Sequence, residues 1–487
     1  MKSYNSHLAT SKSYGTEQDL NKKPVYKGSA LFPFIENNHQ HTRILFMGYW
    51  MVKNNIDKLA LLVTLRDNNG KIFYRETQEI DSPNAREIKI KDFVNFKNKD
   101  ITGSIELEVF SVQDLVFPYP AFVVNYYTKN NSSFVHTCGR AYNDVEDYEG
   151  NSTIKVKEAG VDIYGNKDVE PFVFFTNGPK KKKKSKIKIE VINFFNKSNL
   201  FTINLKSLNP YQTIKLQLNK YFDFKSFLKN KPGTIKIKHD FESFFPRFIS
   251  GNYSLKNKSL SVTHTYYDNS KFDTSDFYWK NPNPKKLEDS ALFFPAFVSK
   301  KNYTKLKFYP IYSPSDHSLN LIVYDTDGNE LGNFENIKSI KKESEYFEID
   351  VGDYIKDFKG ELFLIKLVKN FKNKSLISNR LKHGLNVGEK NNNIDLPTNI
   401  CFNSHLSNEK LLAKPGTFKW FPIINHNKLN VIIHNIYYKF YFIYPRSRSI
   451  SLAFSVSSLF ISSEVVNSKF FLESICFNIV SNSHNTS

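Results

Sequence analysis

The amino-acid sequence predicts an all-β protein of tandem antiparallel β-sandwich domains, with three copies of one unit and an incomplete fourth. Three observations carry that expectation. The runs 59–65 (LALLVTL), 104–110 (SIELEVF), 186–192 (KIKIEVI), 213–218 (TIKLQL), 234–241 (TIKIKHDF) and 319–325 (LNLIVYD) alternate with a period of two. They are rich in Ile, Val, Phe, Tyr and Thr, which suit a pleated surface with one buried face. Convincing amphipathic helices are nearly absent. An aromatic-proline element also recurs: LFPF around Pro33, PFVFF around Phe174, LFFPAF around Pro295 and WFPII around Pro422, at intervals of 141, 121 and 127 residues.

Taken along the chain, residues 1–24 read as a flexible arm with no apolar stretch of the kind a secretory signal needs. The first unit is expected over 25–165, the second over 166–285 and the third over 286–415. Each holds a turn 33 to 37 residues after its aromatic element: Asp67-Asn68-Asn69-Gly70, Asn209-Pro210, and Asp325-Thr326-Asp327-Gly328. Asp, Asn and Gly tolerate the positive φ that hairpin turns demand. A glycine then leads into a strand at Gly103, Gly233 and Gly360. Beyond it lie the related stretches NYYTKNNSSFVHTC, NYSLKNKSLSVTHT and NFKNKSLISNRLKH, whose Asn/Lys/Ser knot predicts a turn between two strands.

The fourth copy opens over 416–436 and then loses the pattern. From Tyr437 to Ser487 there is no Gly and no Asp, but 13 Ser. Alternation and turn chemistry vanish together, as out-of-frame translation of an AT-rich gene would produce. Residues 437–487 are therefore read as an anomalous, frameshifted tail, with a hydrophobic anchor and a divergent strand pair as rival readings.

The net charge of +20 is a weak guide to a partner. It comes from 59 Lys and only nine Arg, in a chain rich in Phe, Ile, Asn and Tyr. That list follows from AT-rich codons, as in an AT-rich bacterial gene, and nucleic-acid recognition leans on Arg. A nucleic-acid partner is not expected. Three Cys exclude a disulfide framework and a four-Cys zinc site. No stretch before residue 436 approaches the ~20 apolar residues of a membrane span. The default location is the cytoplasm, with surface export by another route left open. No phosphate loop, dinucleotide fingerprint or zinc motif occurs, so no cofactor and no metal is expected.

The densest chemistry lies at residues 136–147, where His136, Cys138, Arg140, Asp144 and Glu146 fall within twelve residues. His136 as base with Asp144 or Glu146 as acid would suit a carbohydrate-active or other transfer enzyme. His264 lies 128 residues after His136, and both precede Thr. In the third copy the gapless match is Arg380, while His383 needs a shift of three. Tyr142, His264, Tyr266, Tyr267, Asp268 and Trp279 form aromatic-polar loops on which a sugar would stack and hydrogen-bond. The sequence favours a non-catalytic binding or scaffold protein contacting a glycan or other polymer through several copies of one loop. The enzyme is the alternative, and a component of a virion-like or surface assembly is a further one.

Overall fold

The computed structural model describes residues 25–401, apart from 96–98, 116–121, 130, 137–138, 142–156, 242–243, 245, 269–289, 310–315, 342–344, 373–381 and 391–396, together with strands 428–435 and 446–453. The protein is all-β, as the alternating runs predict, and all its sheets are antiparallel.

The first group of strands is Tyr26–Glu36 (β1), His41–Met47 (β2), Leu59–Asp67 (β3), Ile72–Ile80 (β4), Ala85–Lys89 (β5), Ile101–Ser111 (β6), Val123–Tyr127 (β7) and Ser132–Val135 (β8). They form two sheets, β1-β6-β3-β4 and β5-β2-β7-β8. The alternation explains the packing: Leu59, Leu61, Val63 and Leu65 of β3 are buried against Ile44 and Phe46 of β2 and Val124 and Tyr126 of β7 in one core. The Tyr126 hydroxyl crosses between the sheets and donates to the Pro33 carbonyl at 2.6 Å.

The second group is Lys157–Ile163 (β9), Val169–Thr176 (β10), Ser185–Asn193 (β11), Ser198–Leu205 (β12), Thr213–Gln217 (β13), Gly233–Lys238 (β14), Ile249–Ser254 (β15), Leu260–His264 (β16) and Tyr266–Asp268 (β17). Its sheets are β12-β11-β14-β9-β17 and β13-β10-β15-β16. The third is Ser290–Phe297 (β18), Asn302–Phe308 (β19), His317–Tyr324 (β20), Glu330–Ile340 (β21), Phe347–Asp350 (β22), Leu362–Phe371 (β23), Lys382–Glu389 (β24) and Pro397–Cys401 (β25), arranged β18-β23-β20-β21 and β22-β19-β24-β25. The strand orders repeat, so each group is one unit built on the same eight-strand topology, to which β17 adds a further edge strand in the second, and each closes a core. Lys428–Asn435 (β26) and Arg446–Ala453 (β27) form a further ladder, while residues 454–487 lie outside the described part of the chain.

Several sequence markers fall on other strands than expected. LFPF and LFFPAF lie on the first strands, β1 and β18, but PFVFF lies on β10, the second strand of its unit. The first strand there is β9, which pairs with β14 and so belongs to the sheets of the second unit. The first strands β1 and β18 and the second strand β10 all present buried aromatics, so composition alone confuses them. NFKNKS begins at the end of β23, not at the hairpin that follows the seventh strand. Gly103 lies inside β6 opposite Phe34, whereas Gly360 sits in a turn with φ 118°.

The second hairpin turn is also displaced. In the first unit Asp67 Oδ1 accepts the amides of Asn69 and Lys71, and Gly70 has φ 88°. In the third, Asp325 Oδ1 accepts those of Asp327 and Asn329, and Gly328 has φ 88°. The matching turn in the second unit is Asn193–Lys197, where Asn193 Oδ1 accepts from Phe195 and Lys197. Asn196 takes the glycine's place at φ 59°, which Asn tolerates better than most residues.

Candidate functional site

Tyr142, Asp144, Glu146 and Trp279 lie outside the described residues. Tyr266, Tyr267 and Asp268 form β17, which runs antiparallel to Lys157–Ala159 of β9. Arg140 is buried on a segment laid along β1, where the Gly139 carbonyl accepts the Leu31 amide at 2.7 Å and the Ala141 carbonyl accepts the Ser29 hydroxyl at 2.7 Å. His136 directly follows β8, and His264 ends β16.

The two histidines lie at the ends of the eighth strands of their units. Val124 pairs with Val135 in the first unit, and Ser250 pairs with Thr263 in the second. His136 and His264 come next. They do not form two separate sites, because β8 lies beside β16 across the seam between units. Asn131 brackets the Leu260 backbone through both its amide atoms, and Ser133 Oγ accepts the Val262 amide at 3.1 Å. The two imidazoles therefore meet edge to face, with centroids 4.9 Å apart. In the third unit Leu385 pairs with Thr398 and Asn399 comes next, His383 lies on the seventh strand, β24, and Arg380 lies outside the described residues.

The surroundings of the pair are cationic. His264 Nδ1 lies 2.9 Å from the Thr265 carbonyl, which fixes the proton on that nitrogen in the neutral ring. Arg247 donates to the same carbonyl at 2.7 Å. Desolvation by the surrounding protein, and then the Arg247 charge, push His136 below its ordinary value. Two imidazoles fall short of a zinc ligand set, and among the described residues no group of three or more His, Cys, Asp and Glu side chains gathers. The acid–base partners required by an enzymatic reading, Asp144 and Glu146, lie outside the described residues.

A second polar cluster was not singled out from the sequence. Asp162 on β9 is fully buried at the seam between the second and third units. Its Oδ1 accepts the Tyr346 hydroxyl at 3.0 Å, and its Oδ2 accepts Asn386 Nδ2 at 2.6 Å. Lys307, also fully buried, lies 3.8 Å from Asp162 and 2.5 Å from Glu348. Burial and then the Asp162 charge raise Tyr346 well above its ordinary value. Burial works to raise the Glu348 carboxyl, but Lys307 and Lys305 outweigh it and hold Glu348 below the usual range. The available signal was a lone charge inside an apolar alternation, Asp162 between Val161 and Ile163, and Lys307 between Leu306 and Phe308.

The seam between the first two units is built differently. Phe172, Phe174, Ile249, Leu260 and Val262 point away from their own unit and join the core of the first. A cavity of about 10 Å³ there, lined by Ile35, Gln40, Tyr126 and Lys215 among others, has room for about one water.

No family model and no curated protein matches the chain. Among solved structures it overlaps a calcium-binding mutant of β-glucuronidase 2 from Bacteroides uniformis at 10% identity, over 52% of this chain and 27% of that one, with a TM-score of 0.12. It also overlaps dimeric latent PorU from Porphyromonas gingivalis at 10% identity, over 78% of this chain and 34% of that one, with a TM-score of 0.13. The chain thus spans about a third or less of either protein, and overlaps this loose carry no argument. Among the described residues no helix is long and apolar enough to cross a membrane.

Proposed function

We propose that the chain is a non-catalytic tandem-repeat binding or scaffold protein that contacts a glycan through the connections between its units. One observation carries the reading: consecutive units are fixed to one another by buried seams, an apolar one and the Asp162–Lys307–Tyr346 cluster. A fixed orientation presents successive loops at constant spacing, so weak contacts to one polymer add as avidity. The proposed contact residues are Tyr142, His264, Tyr266, Tyr267, Asp268 and Trp279, and the proposed location is the cytoplasm. Aromatic faces with nearby Asp and imidazole groups suit sugar rings and their hydroxyls.

The test is binding of the full chain to a glycan array, repeated with Tyr267→Ala and Trp279→Ala. Binding by the wild type that each substitution weakens by about tenfold or more supports the reading. A wild-type protein that binds no polymer on the array refutes it.

A further inference from the structure

The turn between the third and fourth strands of one unit seats on the lead-in to the fifth strand of the next, and it does so twice. At the first seam the Asn68 carbonyl accepts the Thr213 amide at 2.9 Å, and Gly70 closes against the backbone of Pro210 and Tyr211. Arg66 lies over the Tyr211 ring, 3.9 Å from its centroid. At the second seam Asn196 Oδ1 accepts the Tyr346 amide at 2.9 Å, and Asn196 Nδ2 donates to the Tyr346 carbonyl at 3.3 Å. Tyr211 stands just ahead of β13 and Tyr346 just ahead of β22. The contact is head to tail, and such a contact repeats as long as further units follow.

The third turn, Asp325–Asn329, has the same internal hydrogen bonds and the same positive φ at its glycine. Thr326, Asp327 and Asn329 are exposed at its tip. Among the described residues, no hydrogen bond reaches it from another unit. The two strands that follow the third unit fit the next place in the series. β26 begins six residues after Pro422, as β19 begins seven after Pro295 and β2 eight after Pro33. It therefore stands where a second strand belongs. β27 pairs with it along its whole length and comes against β23, the sixth strand of the third unit. In the same way β13, a fifth strand, comes against β6, the sixth strand of the first unit. The sequence ahead of β27 is Tyr444-Pro445, and β27 opens with Arg446 and Arg448, opposite in sign to Asp325 and Asp327.

We infer that β26 and β27 dock on the third unit as the start of a fourth, with the turn Asp325–Asn329 seated against the N-terminal end of β27. The inference is independent of any glycan contact. It gives residues beyond 436 a structural role, which an out-of-frame tail would lack.

Hydrogen exchange of the full chain tests it, with Thr326→Trp to block the turn tip and Asp327→Arg to reverse its charge. Neither substitution removes a side-chain hydrogen bond of the turn, and circular dichroism checks that the sheets remain. Both variants should speed amide exchange in 428–435 and 446–453 by about tenfold or more. Exchange in the first two units should not change, and Glu335→Arg, on an exposed stretch of β21, should behave as wild type. Unchanged exchange in both tip variants would overturn the inference. So would wild-type protection of these strands that fades on dilution, since the turn's partner would then be a second copy of the chain.

Discussion

One buried carboxylate, Asp162, ties the second unit to Tyr346 and Asn386 of the third. Removing the Asp162 carboxylate leaves Lys307, Tyr346 and Asn386 facing one another without their common acceptor. Asp162→Ala should cost roughly 3–5 kcal/mol in chemical denaturation monitored in the third unit, and Tyr346→Phe about 1–3 kcal/mol. Lys215 makes a pH prediction. It lies over the Phe172 ring, 4.7 Å from the centroid, and burial lowers its pKa from 10.5 to about 8. Below pH 8 it is protonated in both folded and unfolded chains. Between pH 8 and 10.5 the folded chain releases the proton while the unfolded chain keeps it, so stability rises with pH, by on the order of 3 kcal/mol. Stability measured across that window should climb in the wild type and lose this contribution in Lys215→Met. At this scale the sequence was partly legible. The 128-residue spacing of His136 and His264 is visible in the sequence, but their approach to 4.9 Å depends on β8 lying beside β16, which no local pattern encodes.

The strands were legible where one face is buried, because alternation records burial directly: β3, β6, β11, β14 and β20 coincide with the alternating runs. Assignment of strands to places in the repeat was less legible. PFVFF matches the first-strand element in composition yet occupies a second strand, and Asn196 hides the second turn by replacing a glycine. Asn209-Pro210, taken from sequence as that turn, is part of the surface on which the first turn rests. This gives a test at the level of the element. Gly360 has φ 118° but only the Phe363 ring near its missing Cβ, at 3.7 Å, so Gly360→Ala should cost about 1–2 kcal/mol for the backbone alone. At Gly70 a Cβ would also strike the Pro210 carbonyl. Gly70→Ala should therefore cost a further ~1–3 kcal/mol and loosen the first seam, measured by thermal unfolding of both variants.

Across the molecule, each unit closes its own core, and the core of the first extends onto the second through Phe172, Phe174, Ile249, Tyr253, Leu260 and Val262. Urea should therefore unfold the first two units in one transition, and Asp162→Ala should move only the transition of the third to lower denaturant, as resolved by exchange at equilibrium. Separate transitions of the first and second units would contradict this coupling through the apolar seam. The contrast between the seams also bears on how such a chain avoids misassembly. Neighbouring units of identical topology emerging from a ribosome can dock out of order or exchange strands. If the third unit approached the first by mistake, Lys307 and Glu348 would meet the wall that receives Phe172 and Phe174, without Asp162 to receive the lysine. Burying that charge without its acceptor costs several kcal/mol, so the chemistry of each seam works as an address that keeps three look-alike units in sequence order.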